Sequence, residues 1–294
     1  MATPRFLRFW SHLTPATLRE IWRQAGRQRL PGLAAEMAFN AMLALFPAIL
    51  GMLTLISRVA APQQTFKQLV VQLSQVVPQE ALFLVEGFIG EIRRAGNFRL
   101  LSLGFIASLW ISSAVISAAM NALDQIHQIP TRQIRPFWKA KLVSLSLTIG
   151  TFLLMLAAST LVFISDIFVR IVASSSTDEG GVIGTWQHLN LPLALAIVVA
   201  AFVFIYRFGP SRWTSGTPIL PGALLAAGFW VFLSSLFRLY VSQFGHYNRV
   251  YGAIGAVIVL LLWLQLSSLI ILLGAQCNVT IGAIMQHDRH KLSQ

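Results

Sequence analysis

Between Ala253 and Leu273 the only side chains that seek water are Gln265, Ser267 and Ser268. A helix rises about 1.5 Å per residue, so this run covers roughly the 30 Å hydrocarbon core of a bilayer. Lipid offers no partner to a free N–H or C=O, so helical geometry is demanded there. A polar and aromatic stretch, Gly245-His246-Tyr247-Asn248-Arg249-Val250-Tyr251-Gly252, precedes the run and reads as a compact turn. Gln276-Cys277-Asn278 follows it as a polar exit. The chain reads as a membrane protein, and this is its best-marked span.

Composition supports that reading. The chain is 56% hydrophobic and only 11% charged, whereas soluble domains carry about a quarter of their residues as charges. A net charge of +12 raises the question of nucleic acid. The basic residues, however, punctuate the apolar blocks and do not gather on one soluble face, which is how cytoplasmic Lys and Arg orient a polytopic protein. No nucleic-acid partner is expected. The single cysteine, Cys277, excludes an intramolecular disulfide and any Cys-rich metal site. No removable signal peptide is read at the N-terminus.

Taken in order, residues 1–32 form a basic arm with Arg5, Arg8, Arg19, Arg23, Arg27 and Arg29. Thr14-Pro15 predicts a helix start, and Leu18, Ile21, Trp22 and Ala25 recur at helical spacing opposite the arginines. This is the pattern of a helix lying on an anionic leaflet; a solvated basic arm is the alternative. Residues 33–284 then read as one all-α transmembrane domain with spans at about 33–56, 100–123, 142–168, 191–206, 219–241 and 253–278. Pro47 should kink the first span. An amphipathic segment at 61–99 is too polar to span; it reads as a lid, an anchor or a partner surface. The loop carrying Arg132, Arg135, Lys139 and Lys141, the pair Arg207 and Arg212, and the tail at 285–294 place both termini in the cytoplasm of a multi-pass protein.

Three stretches carry a family resemblance: Leu33 to Leu53 (LAAEMAFNAMLALFPAILGML), Ala119 to Lys141 with Arg135-Pro136-Phe137-Trp138, and Pro221 to Asn278. In these the chain resembles the YihY/BrkB family of bacterial inner-membrane proteins. The resemblance implies six helices in one domain and an inner-membrane location. Its members are linked to envelope integrity, serum resistance and lipid export, and older labels call them tRNA-processing ribonucleases. Gln276 stands where members often carry an acidic residue, and Asn40 stands where an aromatic is common.

Polar side chains inside a bilayer normally face the bundle interior or a wet cavity. Glu36 and Asn40 lie one turn apart on span one. Ser113, Ser117, Asn121 and Asp124 follow spacings of four, four and three on span two. Gln265 and Gln276, eleven residues apart on span six, share nearly one face, and Asn278 follows them. All fall in the inner halves of their spans, so a water-accessible cavity between spans one, two and six is expected, with Glu36 as its dominant charge. Helix-packing hydrogen bonds are the competing explanation. At the outer face, Asp166 and Arg238 are expected to pair, more for structure than for gating. Tyr240, Gly245, Tyr247, Asn248, Arg249, Tyr251 and Gly252 offer a head-group or substrate contact, against a simply well-packed turn.

No Gly-rich phosphate loop, His-Glu-x-x-His pair or nucleophile elbow is present, so no enzyme, cofactor or metal is expected. His287-Asp288-Arg289-His290 offers two imidazoles in a tail, too few to complete a metal site. The function expected is transport or flipping of a lipid-linked or amphipathic envelope substrate, with membrane lipids as partners. A non-transporting envelope scaffold is the alternative, and a tRNA-processing ribonuclease the third.

Overall fold

A computed structural model describes residues 9, 11–59, 98–154, 195–212, 217–243 and 248–292. Among these residues there is no strand. The first helix, α1 (Pro15–Arg27), starts where Thr14 accepts the Thr17 N–H on its hydroxyl at 3.3 Å. Pro15 occupies the first turn, where its missing N–H costs no bond. Arg29 adopts a left-handed backbone conformation, φ 56°, which turns the chain into α2 (Leu30–Val59). That helix continues through Pro47.

α3 (Phe98–Ile126) ends just before Gln128, again left-handed at φ 50°. A short 3-10 turn, Thr131–Gln133, leads to α4 (Phe137–Leu154). α5 (Leu195–Phe208), α6 (Leu220–Gln243) and α7 (Asn248–Leu292) complete the described helices. Four stretches are long and apolar enough to cross a membrane: Ile106–Ile126, Phe137–Leu154, Leu220–Phe237 and Val257–His287. Leu30–Leu45 and Leu195–Phe208 are shorter apolar helices. The chain is an all-α polytopic membrane protein.

Two boundaries need correction. The third span does not begin at 142: Phe137 opens α4 directly after Pro136, so Trp138, Lys139 and Lys141 are helical and not loop. Asn248 to Gly252, expected in a turn, already form the first residues of α7, and 244–247 lie outside the described residues. The 61–97 part of the amphipathic segment also lies outside them.

The core is built from small residues. Ala34 of α2, Ala118 and Ala122 of α3, Ala223, Ala226 and Ala227 of α6 and Ala275 of α7 are all buried in one cluster with Leu30, Leu123, Phe202 and Leu272. Lipid tails are as apolar as leucine, so helices in a bilayer gain by close van der Waals packing, which small side chains permit. The large apolar residues instead point outward: Phe229, Phe232 and Leu236 on α6, and Val257, Ile258 and Leu262 on α7. α7 has 45 residues, about 68 Å, more than twice the hydrocarbon thickness. Its C-terminal part serves as a post for the basic N-terminal helix, with Cys277, Ile281 and Met285 packed against Phe9 and Ile21.

Candidate functional site

The tightest polar joint links α6 to α7. Ile219 precedes α6 and has no side-chain oxygen to cap it, and Pro221 has no N–H to offer. Asn278 supplies the cap from the neighbouring helix: its Oδ1 accepts the Gly222 N–H at 2.8 Å and its Nδ2 donates to the Ile219 carbonyl at 3.0 Å. The helices cross here on glycine. A Cβ on Gly274 would meet the Tyr206 hydroxyl at 2.6 Å and Ala226 Cβ at 2.7 Å, and one on Gly222 would collide with Asn278. The Tyr206 hydroxyl donates to the Ile271 carbonyl at 2.6 Å, tying α5 to the same region. The expected polar exit at Gln276-Cys277-Asn278 is therefore corrected: all three are buried, because α1 and the start of α6 cover them. Gln276 donates to Thr280 Oγ1 at 3.0 Å, while its own Oε1 has no partner.

A second joint closes the end of the bundle richest in Arg and Lys. Buried Asp124, near the end of α3, accepts the Ser211 N–H at 2.5 Å on Oδ1 and the Ser211 hydroxyl at 2.6 Å on Oδ2. Ser211 follows Gly209-Pro210, a helix-stop signal after α5. The last carbonyls of a helix lack intrahelical donors and carry partial negative charge. Arg135 meets them: its guanidinium donates to the carbonyls of Gly209 at 2.9 Å, Pro210 at 2.7 Å and Phe208 at 3.4 Å. Its backbone N–H reaches Ser211 Oγ at 3.2 Å. His127 donates from Nδ1 to the Leu123 carbonyl at 2.8 Å, and burial pushes its pKa below the ordinary imidazole value, against the opposing pull of that carbonyl and of Asp124. Sequence reasoning missed the Asp124–Ser211–Arg135 joint. The Gly-Pro stop and the Arg-Pro dipeptide were its visible signals, but nothing in the spacing pairs residues 124 and 211.

A third group lies between α3 and α4. Lys141 Nζ donates to Ser113 Oγ at 2.6 Å and to the Trp110 carbonyl at 3.1 Å, and sits 4.4 Å from the centroid of the Trp110 ring. Ser113 is fully buried and donates its own hydroxyl to the Trp110 carbonyl at 2.7 Å. Ser117 donates to the Ser113 carbonyl at 3.0 Å. The predicted stripe on α3 thus has divided duties. Ser113 and Ser117 bond within their helix, Asp124 grips Ser211, and Asn121 is exposed.

Glu36 is exposed on α2, about 9 Å along the axis from Leu30. Asn40 is half-buried and donates to the Glu36 carbonyl at 2.9 Å, one turn back. Phe39 and Leu43, at helical spacing on the same side, are exposed too. Gln265 is half-buried on α7, where the neighbouring Ser267 accepts the Trp230 indole N–H at 3.1 Å. Tyr240 is exposed near the end of α6, its ring 6.0 Å from that of Phe237. Asp166, Gly245 and Tyr247 lie outside the described residues, as do the side chains of Arg238, Asn248, Arg249 and Tyr251. Among the described residues no three His, Cys, Asp or Glu side chains gather as a metal site.

Comparison with known proteins places this arrangement in a family. The profile of Virulence factor BrkB matches residues 21–294. The ribonuclease-like protein YfkH of Bacillus subtilis is 32% identical over 263 residues, covering 88% of this chain and 90% of that protein. A UPF0761 membrane protein of Aliivibrio fischeri is 27% identical over 93% of this chain and 84% of its own length. Another, from Xanthomonas axonopodis pv. citri, is 28% identical over 90% of this chain and 61% of its own. No solved structure matches. The match runs from inside α1 to the end of the chain and takes in every helix of the bundle; the protein belongs to the BrkB family of membrane proteins.

Proposed function

We propose that the protein is a transport-class protein of the bacterial inner membrane that moves or flips a lipid-linked or amphipathic envelope substrate, and that it is not an enzyme. The observation that carries this reading is Glu36: it stands exposed on an apolar helix, one and two turns before exposed Phe39 and Leu43, with no ion-pair partner among the described residues. A charge on such a face has a cost in a bilayer that packing does not offset. It is explained when an amphipathic molecule presents a polar head to it from the side. The positive ends of the helices, with Arg132, Arg135, Arg207 and Arg212, support a cytoplasmic placement of both termini. An envelope scaffold would need no such charge. The hydrolytic reading, carried by the name of the Bacillus relative, has no cluster of acidic or histidine side chains among the described residues to support it.

Reconstitution into liposomes with labelled phospholipids, lipid-linked sugars and small solutes tests the reading. Transbilayer movement of at least one amphiphile should exceed that in protein-free vesicles, and Glu36→Gln should slow it while leaving helicity intact. If nothing moves faster than in protein-free vesicles, the scaffold reading replaces transport.

A further inference from the structure

The residues around Glu36 select among polar heads, on the reading that an amphiphile meets this carboxylate from the side. Its depth follows from the start of α2. Gln28 and Arg29 break the helix there, with Arg29 exposed, and Gln125 in the last turn of α3 donates to the Gln28 carbonyl at 3.1 Å. Exposed irregular backbone does not lie in hydrocarbon, so α2 enters the lipid at about Leu30. Glu36 follows about 9 Å further along the axis. Helical side chains lean toward the N-terminus of their helix, so its carboxylate reaches back over the turn that holds Gly32. A Cβ on Gly32 would meet nothing within 4 Å, so that turn is open. The carboxylate thus stands within about 5 Å of the entry level, where head groups reach.

The face that carries Glu36 turns away from the bundle. Ala34, Met37 and Ala38 are buried, whereas Glu36, Phe39 and Leu43 are exposed. With Asn40 they fall at helical spacings of three and four and form one stripe. Its polar members are hydrogen-bond acceptors. Asn40 spends an Nδ2 proton on the Glu36 carbonyl, and its Oδ1 has no bond among the described residues. The ionised Glu36 carboxylate can only accept, and no Lys, Arg or His among the described residues pairs with it. Phe39 adds a ring face, which attracts cations and not anions. Leu43 continues the stripe toward the bilayer centre as apolar surface. A phosphate would be repelled here, whereas a cation rich in N–H donors is complementary. We propose that Glu36, Phe39 and Asn40 form a lateral subsite for the primary ammonium of an amphiphile's head group, with its chain laid along Leu43. A trimethylammonium carries the same charge but has no N–H to donate, so the subsite favours an ethanolamine head over a choline head.

The full chain is reconstituted in phosphatidylcholine nanodiscs with a small fraction of spin-labelled phosphatidylethanolamine, phosphatidylcholine or phosphatidylglycerol, and the motionally restricted fraction is measured. The wild type should favour phosphatidylethanolamine over phosphatidylcholine by about threefold, the factor that one exposed charged contact gives, and should hold phosphatidylglycerol least. Glu36→Gln keeps the size of the side chain and should bring the ratio to about one. No preference in the wild type, or an unchanged preference in a folded Glu36→Gln protein, overturns the proposal. A second measurement uses the wild type alone. A lipid-soluble carbodiimide is added to discs that contain phosphatidylethanolamine. It activates a carboxyl group, the lipid amine attacks the acyl carbon, a urea leaves, and an amide joins lipid to chain. Peptide mass spectrometry should find that adduct on Glu36. No adduct there, or an equal yield from soluble ethanolamine in pure phosphatidylcholine discs, overturns the lipid subsite. Binding without transbilayer movement keeps the subsite and removes transport; movement with no preference for the ammonium keeps transport and removes the subsite.

Discussion

Replacing Asn278 with alanine isolates the joint on which α6 and α7 depend. The amide makes two bonds, to the Gly222 N–H at 2.8 Å and to the Ile219 carbonyl at 3.0 Å. Their losses are unequal. The Ile219 carbonyl still accepts the Ala223 N–H at 3.1 Å, so it keeps a partner and loses only about 1 kcal/mol. The Gly222 N–H is buried in the first turn of α6, where no earlier carbonyl reaches it; leaving it unsatisfied costs about 1–3 kcal/mol. Together Asn278→Ala should remove about 3 kcal/mol, a midpoint drop of roughly 6–12 °C at about 2–4 °C per kcal/mol. The eight tryptophans make intrinsic fluorescence a convenient probe of heating or SDS titration in mild detergent. Asn278→Asp separates the two bonds, because a carboxylate oxygen still accepts from Gly222 but faces the Ile219 carbonyl with no donor. It should fall between wild type and alanine. An alanine variant within about 0.5 kcal/mol of wild type would mean that this cap does not hold the helices together.

Other substitutions probe the remaining joints. Gly274→Ala should destabilise by about 2 kcal/mol or more, since its Cβ would meet Tyr206 and Ala226; Gly228→Ala, with open space around it, should be neutral or stabilising by up to about 1 kcal/mol in the same titration. Asp124→Ala should cost about 3 kcal/mol by stranding the Ser211 N–H, whereas Asp124→Asn should cost less because its amide can donate to the Ser211 hydroxyl; equal losses would contradict the hydrogen-bond account. His127 is held below its ordinary pKa by burial, so the unfolded chain takes up the proton first as pH falls. Its stabilisation is complete above about pH 6.5 and is lost as pH falls through the lowered folded-state value; the midpoint should therefore drop on moving from pH 7 to pH 5, and His127→Asn should flatten that dependence.

The helices were legible because their causes are local. The apolar run at Ala253–Leu273 leaves no alternative in lipid, and Thr14-Pro15 carries its own start signal. Hydropathy marks where a residue prefers to be, and so it placed Lys139 and Lys141 in a loop. It carries no information on whether a helix begins early, as α4 does after Pro136. The site was legible only in its residue types. Asn278 was singled out for polarity, yet its partners are backbone groups of Ile219 and Gly222, fifty-nine and fifty-six residues away. Asp124 was read as the last member of a stripe on one helix, and its bond to Ser211 depends on how α5 returns to α3. Long-range pairings of this kind follow from packing, which periodicity within one segment does not encode.

The polar groups of the bundle separate into those consumed by the fold and those left over. Asn278, Asp124, Ser211 and Arg135 each have partners that account for their presence: helix ends, buried turns and orphan carbonyls that would otherwise go unpaired. Substituting them should change stability first, and a loss of activity there would say little about mechanism. Lys141 is tied across α3 to Ser113 Oγ and the Trp110 carbonyl, so it too belongs with the groups that join helices. Glu36 differs, because no basic side chain among the described residues pairs with it. It stands on a face shared with exposed Phe39 and Leu43. A membrane protein that only had to fold could replace it with leucine and gain from it. The proposed transport role accounts for such a charge, and packing does not. Glu36→Leu should leave the bundle as stable as wild type or more so. If that variant instead unfolds, Glu36 belongs with Asp124 among the groups the fold consumes.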